Sequence, residues 1–322
     1  MKVLVTGATG RLGKYVIPAL LERKHELRLC VKNAEDAREA FPKAQFELME
    51  LDLLEAQESA FETVTKGVDA IVHLAALISY AAKDKKKIFD LNAEVTRKLA
   101  SAAKKNGVKR FVFMSSTSLY HKPKAQPITE AEEPSPDNAY GKSKVLAEKY
   151  LRENGVPFVI LRAALIYGPG FEEGFLTTAK MVKKGRMPVI GSGKNVIALV
   201  HAQDVAEAIA LALEKKEAVN QDFNISGPSL SERDLLNALA EELGVKPPRF
   251  SIPVFTAYAF ASMGFAQKLF FGKRVLYPDY VRTFTETREF DCSKAKRLLG
   301  WEARVNARDG ISEVVASMLS KL

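Results

Sequence analysis

Short apolar runs alternate with amphipathic stretches along the first half of the chain, up to residue 162. Six of the runs predict β-strands, at 2–6, 26–31, 46–51, 69–74, 110–115 and 157–162. The first, fourth, fifth and sixth are almost continuously apolar, as expected of parallel strands that are covered on both faces. The stretches between them predict helices, among them 11–23, 55–66, 88–105 and 140–153. Repeated units of this kind predict an α/β fold with a doubly wound parallel sheet and right-handed crossovers.

Beyond residue 165 this alternation breaks down. Glycine and proline cluster in four places, at 167–174, 187–195, 226–229 and 246–253. Helical patterns follow at 203–216 and 231–243, and then an apolar segment at 254–266. We expect this half of the chain to form a smaller, irregular lobe that packs over the carboxyl edge of the sheet.

The composition is that of an ordinary soluble globular protein, with 47% hydrophobic and 27% charged residues. A formal net charge of +9 raises the question of a nucleic-acid or membrane partner. Most Lys and Arg residues, however, are interspersed with acids at helical spacing. The one dense block is KDKKK at 83–87, which we interpret as a solvated face, so no nucleic-acid partner is expected.

The chain has two cysteines, Cys30 and Cys292, and four histidines that show no metal-ligand spacing. Two distant cysteines predict neither a disulfide framework nor a zinc site, so no metal is expected and a reducing cytoplasm is favoured. The N-terminus opens on a strand and a glycine turn rather than on a signal peptide. No run reaches the roughly 18 apolar residues of a membrane-spanning helix.

A glycine-rich turn, TGATGRLG, follows the first predicted strand directly and leads into a helix. Gly7 and Gly10 allow a tight turn and the close approach of the backbone to a pyrophosphate, and Gly13 lets helix and strand pack closely. The free N–H groups at the start of that helix attract phosphate. Because the turn stands at the first strand of an α/β pattern, it predicts a dinucleotide site.

The expected domains follow from the position of this turn. We expect a dinucleotide-binding domain at 1–165, with 196–225 returning to it. The remaining stretches, 166–195 and 226–322, are expected to form mainly the substrate-binding lobe.

The end of the second predicted strand selects between NAD and NADP, because an acid there holds the adenosine ribose and a base accommodates a 2′-phosphate. Lys32 stands where the acid is needed, and Arg11 in the glycine turn adds a second positive charge on the same side. These residues favour NADP over NAD, unless Lys32 is merely solvated. Asp52 and Leu53, after the third strand, are placed to meet the adenine, or else Asp52 is only a strand-ending turn acid.

Two Tyr-x-x-x-Lys pairs occur, Tyr140 with Lys144 and Tyr120 with Lys124. On a helix the two members of such a pair lie one turn apart on the same face. Pro123 lies between the members of the second pair and argues against a regular helix there. Only Tyr140 and Lys144 therefore keep this geometry.

The surviving pair stands near the start of a helix that precedes the sixth predicted strand, at the edge of the sheet where ligands bind. The fifth strand delivers Ser115, Ser116 and Thr117 to the same edge. An unperturbed phenol has a pKa of about 10. A neighbouring ammonium and a positive nicotinamide ring would lower the pKa of Tyr140, which would suit it to exchange a proton with a substrate hydroxyl.

Taken in order, TGATGRLG, HLAA, the serine run after the fifth strand, YGKSK and LRAALIYGPG resemble the extended short-chain dehydrogenase/reductase family. The resemblance continues through VHAQDVAEAI, NISGP and DCSKAKRLLGW, and so covers nearly the full length. It implies a Rossmann fold, a nicotinamide cofactor, a small-molecule substrate and a homodimer formed through a bundle of helices.

The resemblance also implies roles for individual residues. Tyr140 would be the acid/base, Lys144 would hold the nicotinamide ribose and tune the phenol, and Ser116 would hydrogen-bond the substrate oxygen. Asn92 would complete a proton relay or be an ordinary helical asparagine. The implied cofactor site consists of Gly7, Thr9, Gly10, Arg11, Leu12, Gly13, Lys32, Asp52, Leu53, Leu74, Ala75, Ala76, Tyr140 and Lys144.

The family includes epimerases and dehydratases of nucleotide sugars, and also reductases and dehydrogenases of apolar alcohols such as steroids and flavonols. Leu165 replaces an Asn that the nucleotide-sugar enzymes usually carry before YGP, and Ile197 replaces an Arg that grips the diphosphate. Apolar side chains supply neither charge nor donors to a diphosphate, although Arg282 or Lys194 could substitute.

We therefore expect an NAD(P)-dependent oxidoreductase that moves hydride to or from an apolar secondary alcohol or ketone. The alternative is a nucleotide-sugar epimerase or dehydratase that uses bound NAD. A regulator that senses the cofactor without turnover is a third possibility, and the complete set of Ser116, Tyr140 and Lys144 speaks against it.

The aromatic-rich segment at 252–272 leans toward the apolar substrate, because ligand sites are mostly apolar with a few placed polar groups. As alternatives, the segment is ordinary core or a dimer contact. It could also form a peripheral membrane contact through 252–274, which the flanking Lys268, Lys273 and Arg274 would support.

Overall fold

Seven strands form the main sheet of the computed structural model, which describes residues 1–79, 81–264, 267, 269 and 276–322. They are β1 (Lys2–Thr6), β2 (Glu26–Val31), β3 (Glu47–Glu50), β4 (Ala70–His73), β5 (Arg110–Ser116), β6 (Phe158–Ala163) and β11 (Gln221–Ile225). The strands lie in the order β11-β6-β5-β4-β1-β2-β3, and every neighbouring pair is parallel. The prediction of a doubly wound parallel α/β sheet is confirmed. The chain order reverses between β1 and β4, where such folds bind ligands.

The edge strand β11 is the one that the strand predictions missed. Its sequence, QDFNI, contains three polar residues in five, so it lacks the apolar run by which the inner strands were found. Since β11 pairs with β6 on one side only, it does not need the apolar character of a strand at the centre of the sheet.

Helices cover both faces of the sheet. One face carries α1 (Gly13–Glu22), α8 (Ala202–Glu214) and α12 (Ser293–Leu299), and the other carries α3 (Glu58–Thr65), α5 (Val95–Lys105) and α6 (Ala139–Asn154). In β1, Val3 and Val5 enter the first core and Leu4 enters the second. This alternation is the period of two that a strand imposes on its side chains. Two short helices, α2 (Ala34–Ala40) and α4 (Lys85–Phe89), complete this half of the chain.

The single helix expected over 88–105 is interrupted. α4 ends at Phe89, a π-helical turn occupies Asp90–Glu94, and α5 begins at Val95. Turns of this kind are frequent at functional sites, and no residue type in the sequence announces one. This turn carries Asn92 into the interior, where it is fully buried.

Outside the main sheet, three short ladders occur among the described residues beyond residue 164. β7 (Leu165–Tyr167) pairs with β10 (Leu199–His201), β8 (Val189–Ile190) with β13 (Ser251–Ile252), and β9 (Val196–Ile197) with β12 (Leu230–Ser231). The lobe helices are α7 (Glu172–Lys183), α9 (Glu232–Glu242), α10 (Val254–Ser262), α11 (Pro278–Thr285) and α13 (Ala307–Met318). A third core, which includes Phe175, Leu236 and Ile311, lies among α7, α9 and α13.

Helix α10 covers the first part of the apolar segment expected at 254–266. Its residues Ala257 and Ala261 are buried, whereas Phe255 is 74% exposed. Met263, which follows the helix, is 55% exposed. Among the described residues, no helix is both long and apolar enough to cross a membrane. The cations on which the predicted membrane contact depended, Lys268, Lys273 and Arg274, lie outside the described residues.

Candidate active site

The glycine turn between β1 and α1 has no room for side chains at two of its positions. A Cβ atom at Gly13 would lie 1.9 Å from the carbonyl oxygen of Ala8, so α1 packs on the turn as closely as only glycine allows. Gly7 has φ +72°, and a Cβ there would lie 2.7 Å from the backbone nitrogen of Ala75. No side chain caps the N-terminus of α1 at Leu12, and the partial positive charge of a helix N-terminus attracts an anion. A bare cradle at a helix N-terminus fits the pyrophosphate of a dinucleotide.

The residues after β4 close the other side of this turn. Leu74 donates its backbone N–H to the carbonyl of Thr6 over 3.1 Å, and Ala75 donates to the Thr6 hydroxyl over 3.4 Å. The sequence HLAA therefore lies against TGATGRLG at the point where the strand order reverses. Leu74 and Ala75, two of the predicted cofactor residues, lie against Gly7 of the glycine turn.

The residues expected to bind the adenosine are brought together as an ion pair. The ammonium of Lys32, after β2, lies 2.7 Å from the carboxylate of Asp52, and Asp52 also accepts the backbone N–H of Leu54. The lysine holds the pKa of Asp52 below its ordinary value. Leu53 is buried beside them. Because Asp52 neutralises Lys32, the end of β2 lacks the unpaired positive charge that favoured NADP. Arg11 lies over the ring of Phe171, 5.8 Å from its centroid.

Tyr140 and Lys144 stand in the first turns of α6. Asn138 caps this helix by accepting the backbone N–H of Gly141. A Cβ at Gly141 would lie 2.6 Å from the carbonyl of Ser118, so the glycine lets α6 approach the end of β5. The Lys144 ammonium lies 5.8 Å from the centroid of the Tyr140 ring, on the same face of the helix as predicted.

The third expected residue, Ser116, lies at the end of β5 and hydrogen-bonds the phenol of Tyr140. Its hydroxyl also accepts the backbone N–H of Ser118 over 3.1 Å. The structure thus brings Ser116, Tyr140 and Lys144 together at the carboxyl edge of the sheet. The two flanking hydroxyl residues do not join them: Ser115 donates to Glu148 over 2.6 Å, and Thr117 is buried.

The protein's own groups change the pKa of Tyr140 in the direction opposite to the one expected. Burial raises the pKa of Tyr140 to about 12, and the hydrogen bond from Ser116 only partly opposes this. Burial also lowers the pKa of Lys144 to about 7. The buried ammonium donates to the carbonyl of Met114 over 2.8 Å and lies 4.7 Å from the centroid of the Phe113 ring. Desolvation disfavours the charged form of both groups.

Asn92 acts as a clamp between the turn after β4 and α6. Its amide oxygen accepts the backbone N–H of Leu77 over 2.8 Å, and its amide nitrogen donates to the Leu77 carbonyl and to the hydroxyl of Ser143, both over 3.0 Å. Ser143 in turn donates to the Tyr140 carbonyl over 2.7 Å. The asparagine therefore ties the turn after β4 to α6, and these contacts favour a positioning role over a proton relay.

The second Tyr-x-x-x-Lys pair, Tyr120 and Lys124, does not lie on a helix. Tyr120 is fully buried and its hydroxyl accepts a hydrogen bond from Arg162 over 2.7 Å, while Lys124 is exposed in a segment without helix. The prediction that this pair lacks the one-turn geometry is confirmed.

Sequence reasoning missed the buried ion pair behind the site, Glu148 with Arg162. Two signals were present. Glu148 stands four residues after Lys144 on the same helix, and Arg162 closes an otherwise apolar strand in FVILR. A charged residue in a central strand is rarely buried without a partner.

The residues that bear on substrate choice lie apart from one another. Leu165 is 48% exposed at the start of β7, whereas Ile197 is buried in the core of the lobe and so contacts no diphosphate. Arg282 forms ion pairs with Asp137 and with Glu286, and Lys194 is exposed. At positions 165 and 197, where the nucleotide-sugar enzymes carry polar residues, this chain therefore carries apolar side chains.

Comparison with known proteins places this architecture among enzymes. A family described as "NAD dependent epimerase/dehydratase family" matches residues 3–226. The UDP-glucose 4-epimerase of Vibrio cholerae is 28% identical over 330 residues, which cover 98% of this chain and 95% of that protein.

Solved structures give the same picture of the fold. The Bordetella bronchiseptica enzyme WbmG, solved in complex with NAD, has a TM-score of 0.77 at 25% identity and covers 99% of this chain and 94% of its own. The UDP-glucuronic acid 4-epimerase of Bacillus cereus, also solved with NAD, has a TM-score of 0.78 at 22% identity, with 100% and 99% covered.

Proposed function

Because the chain belongs to the NAD dependent epimerase/dehydratase family, we propose that it converts a nucleoside-diphosphate sugar with NAD as its cofactor. The observation that carries the proposal is the meeting of Ser116, Tyr140 and Lys144 at the edge of the sheet that also carries the glycine turn. The likeness to a UDP-glucose 4-epimerase along 98% of the chain supports a nucleotide sugar as the substrate. The sequence alone favoured hydride transfer to or from an apolar alcohol or ketone, with this reaction as the alternative, and the comparisons support the alternative better.

We propose NAD in place of the NADP that Lys32 suggested. The ion pair between Lys32 and Asp52 supports this choice, since it leaves no unpaired base at the end of β2. The complex of WbmG with NAD supports it as well. The pyrophosphate would lie on the turn from Gly7 to Gly13, and Lys144 would hold the nicotinamide ribose.

In the proposed reaction Tyr140 takes a proton from a sugar hydroxyl at its phenol oxygen and later returns one, while Ser116 hydrogen-bonds the same sugar oxygen. Bound NAD would supply the hydride acceptor, and the positive charge of its oxidised ring would favour a phenolate beside it. Lys144 favours the same phenolate when its ammonium is charged. These charges oppose the burial that raises the pKa of Tyr140 to about 12.

The proposal is tested by incubating the purified protein with NAD and a panel of nucleotide sugars, beginning with UDP-glucose. We expect an epimer or a dehydrated sugar to form without accumulation of NADH, since the hydride returns to the product. Tyr140→Phe serves as the inactive control. If no nucleotide sugar in the panel is converted, the proposed substrate class is wrong.

A second candidate is the oxidation or reduction of an apolar secondary alcohol or ketone. The half-exposed Leu165 and the exposed Phe255 on α10 favour it, because both present apolar surface in the substrate lobe. This reaction would change NADH absorbance in proportion to the product, which an epimerisation does not do. A panel of apolar alcohols under the same conditions distinguishes the two candidates.

The homodimer and the peripheral membrane contact stay predictions. Light scattering on the purified protein tests the first, and co-sedimentation with anionic vesicles tests the second.

A further inference from the structure

The buried surroundings of Lys144 disfavour the charged form of its ammonium. The residue is 2% exposed, and its ammonium has one hydrogen bond, to the carbonyl of Met114, among the contacts of the described residues. Removing a charge from water is costly unless an opposite charge compensates for it. The compensating group must therefore be sought among the elements packed around α6.

The titratable groups around the ammonium come from three elements, β4, α6 and β6. On β4, burial lowers the pKa of His73 to about 3, so this histidine is neutral. On α6 itself, Tyr140 is a neutral phenol, and the carboxylate of Glu148 lies one turn beyond Lys144 and favours its charged form. β5 contributes the Phe113 ring and backbone, and β6 contributes Arg162, whose charge is turned toward Glu148. Glu148 is thus the anion that favours the ammonium of Lys144, across one turn of the helix and without a direct ion pair.

Glu148 is itself held on every side. It is 4% exposed, and one carboxylate oxygen accepts from the Ser115 hydroxyl over 2.6 Å and from Arg162 Nε over 3.0 Å. The other oxygen accepts from Arg162 Nη2 over 2.7 Å and from Arg152 over 3.4 Å. The pairing with Arg162 is bidentate, which fixes direction as well as distance.

Arg162 is anchored in turn from the far side of β6. Its Nη1 atom donates to the Tyr120 hydroxyl over 2.7 Å and lies 2.8 Å from the carboxylate of Asp222 on β11. Charges of opposite sign therefore alternate from Lys144 through Glu148 and Arg162 to Asp222. A buried ion pair generally adds little net stability, so such a chain calls for another explanation.

The contacts between β5 and α6 supply that explanation. Three consecutive residues of β5 bind three side chains of α6, and the carboxylate occupies the middle position. The contacts are Met114 with Lys144, Ser115 with Glu148, and Ser116 with Tyr140. The bond to Glu148 therefore fixes the register in which the other two side chains meet the end of the strand.

We propose that Glu148, held by Arg162, is a positioning residue that keeps the ammonium of Lys144 charged and aligned on Tyr140. The proposal rests on the proposed function of Tyr140 and Lys144 in proton transfer. It assigns to the buried ion pair a role that extends beyond the packing of β6 against α6.

The central test is Glu148→Gln, which keeps the shape of the side chain and removes its charge. Lys144 should then lose its proton at a lower pH, so the loss of kcat at high pH should begin about one unit lower than in the parent, with kcat at pH 8 reduced about tenfold. KM for the sugar should change less than twofold. Glu153→Gln is the matched control, because Glu153 lies on the same helix, is 60% exposed and should leave the profile unchanged.

A second measurement needs no substrate and so separates this proposal from the proposed function. Tyrosinate absorbance at 295 nm is titrated in the NAD complex, and the curve of Tyr140→Phe is subtracted to isolate Tyr140. In the NAD complex the charges of the nicotinamide ring and of Lys144 should bring the midpoint for Tyr140 below about 12. When Glu148→Gln is present both in the protein with Tyr140 and in the Tyr140→Phe reference, this midpoint should lie at higher pH than with Glu148. The reason is that Lys144 then loses its charge at lower pH and favours the phenolate over a narrower pH range. Glu148→Asp keeps the charge and should move the midpoint less than Glu148→Gln.

Two results would overturn the proposal. One is a Glu148→Gln protein that loses activity or thermal stability while its pH profile and Tyr140 midpoint match those of the parent, since that is a purely structural effect. If Glu148→Gln does not fold, Glu148→Asp is compared with Glu153→Asp. The second result that would overturn the proposal is an equal Tyr140 midpoint in these two variants. Full activity of Tyr140→Phe would instead remove the proposed function and leave the midpoint result to judge Glu148.

Discussion

The contact between β5 and α6 and the lobe beyond residue 165 hold their side chains in different ways. In the first region, the side chains of interest belong to a strand of seven residues, β5, or to a helix of sixteen residues, α6, and hydrogen bonds join the two elements. In the lobe, the paired strands have two or three residues, and side chains such as Leu165 and Phe255 are exposed. The first region fixes the groups that are proposed to react, whereas the second would leave the substrate contacts to short segments and loops. The two regions should therefore respond differently to substitution.

The largest effect is expected from Tyr140→Phe. Loss of the proton-transferring hydroxyl should lower kcat roughly 10²- to 10⁴-fold, the usual contribution of a general acid or base. Tyr150→Phe on the same helix is the control and should keep full activity. Turnover by Tyr140→Phe at the parent rate would show that the rigid region does not carry the chemistry.

Gly13→Ala should disrupt the other rigid part of the site. A Cβ at Gly13 would lie 1.9 Å from the Ala8 carbonyl, so the backbone of the turn must move. We expect a loss of a few kcal/mol in the free energy of unfolding and a large loss of NAD affinity, measured by thermal unfolding and by calorimetry.

Gly174→Ala is the matched control for that experiment. Gly174 lies in α7 of the lobe, and a Cβ there would meet nothing within 4 Å. The alanine should stabilise the protein by about 0.5–1 kcal/mol, since glycine is unfavourable within a helix. Equal losses from the two substitutions would contradict the contrast between the regions.

Lys144→Met should separate catalysis from stability. In the folded protein burial lowers the pKa of Lys144 to about 7, below the ordinary lysine value. Between these two pH values the unfolded chain binds more protons, so this residue makes the free energy of unfolding rise as the pH increases. The variant should lack that rise and should be more stable than the parent near pH 7 by a few kcal/mol, as each pKa unit is worth about 1.4 kcal/mol.

The comparison for Lys144→Met is made by urea unfolding at several pH values. Lys142→Met, on the same helix, should follow the parent. A stability curve of Lys144→Met that parallels the parent curve would show that the ammonium is not under strain.

Phe255→Ser examines the lobe. Because the ring is 74% exposed, its loss should leave the midpoint of thermal unfolding nearly unchanged. If α10 lies over the substrate, KM should rise severalfold, with kcat within twofold of the parent. Leu319→Ser, at another exposed apolar position, is the control. An unchanged KM would remove α10 from the substrate site.

The smallest effect is expected at the end of β2. Lys32→Ala should change the ratio of NAD to NADP affinity by less than about threefold, because Asp52 already neutralises the lysine and exposed ion pairs contribute little. Asp52→Asn frees the ammonium and should move the preference toward NADP. A large loss of NADP binding in Lys32→Ala would restore the original interpretation of this residue.

The same contrast explains what the sequence could predict. The inner strands were visible because burial on both faces demands continuous apolar runs, and Gly7 and Gly13 were visible because their backbone geometry tolerates no side chain. Tyr140 and Lys144 stood out because a helix places positions i and i+4 together. In each case one local rule determines the geometry.

The remaining features depend on contacts between distant segments. The direction of the pKa change at Tyr140 comes from burial, which the spacing of Tyr140 and Lys144 does not reveal. The ion pair of Lys32 joins the ends of β2 and β3, twenty residues apart. Ile197 was taken for a residue facing the substrate, yet it lies in the core of the lobe.

The three separate ladders of the lobe also bear on how such a chain can diversify. Each ladder closes its own backbone hydrogen bonds, so an insertion or exchange at one leaves the pairing of the other two intact. The inner strands of the main sheet have no such freedom, since each is paired on two sides. A lineage can thus retain the main sheet while it rebuilds the short ladders one at a time. Grafting a single ladder from a relative is accordingly the most economical way to redirect this scaffold to a new metabolite.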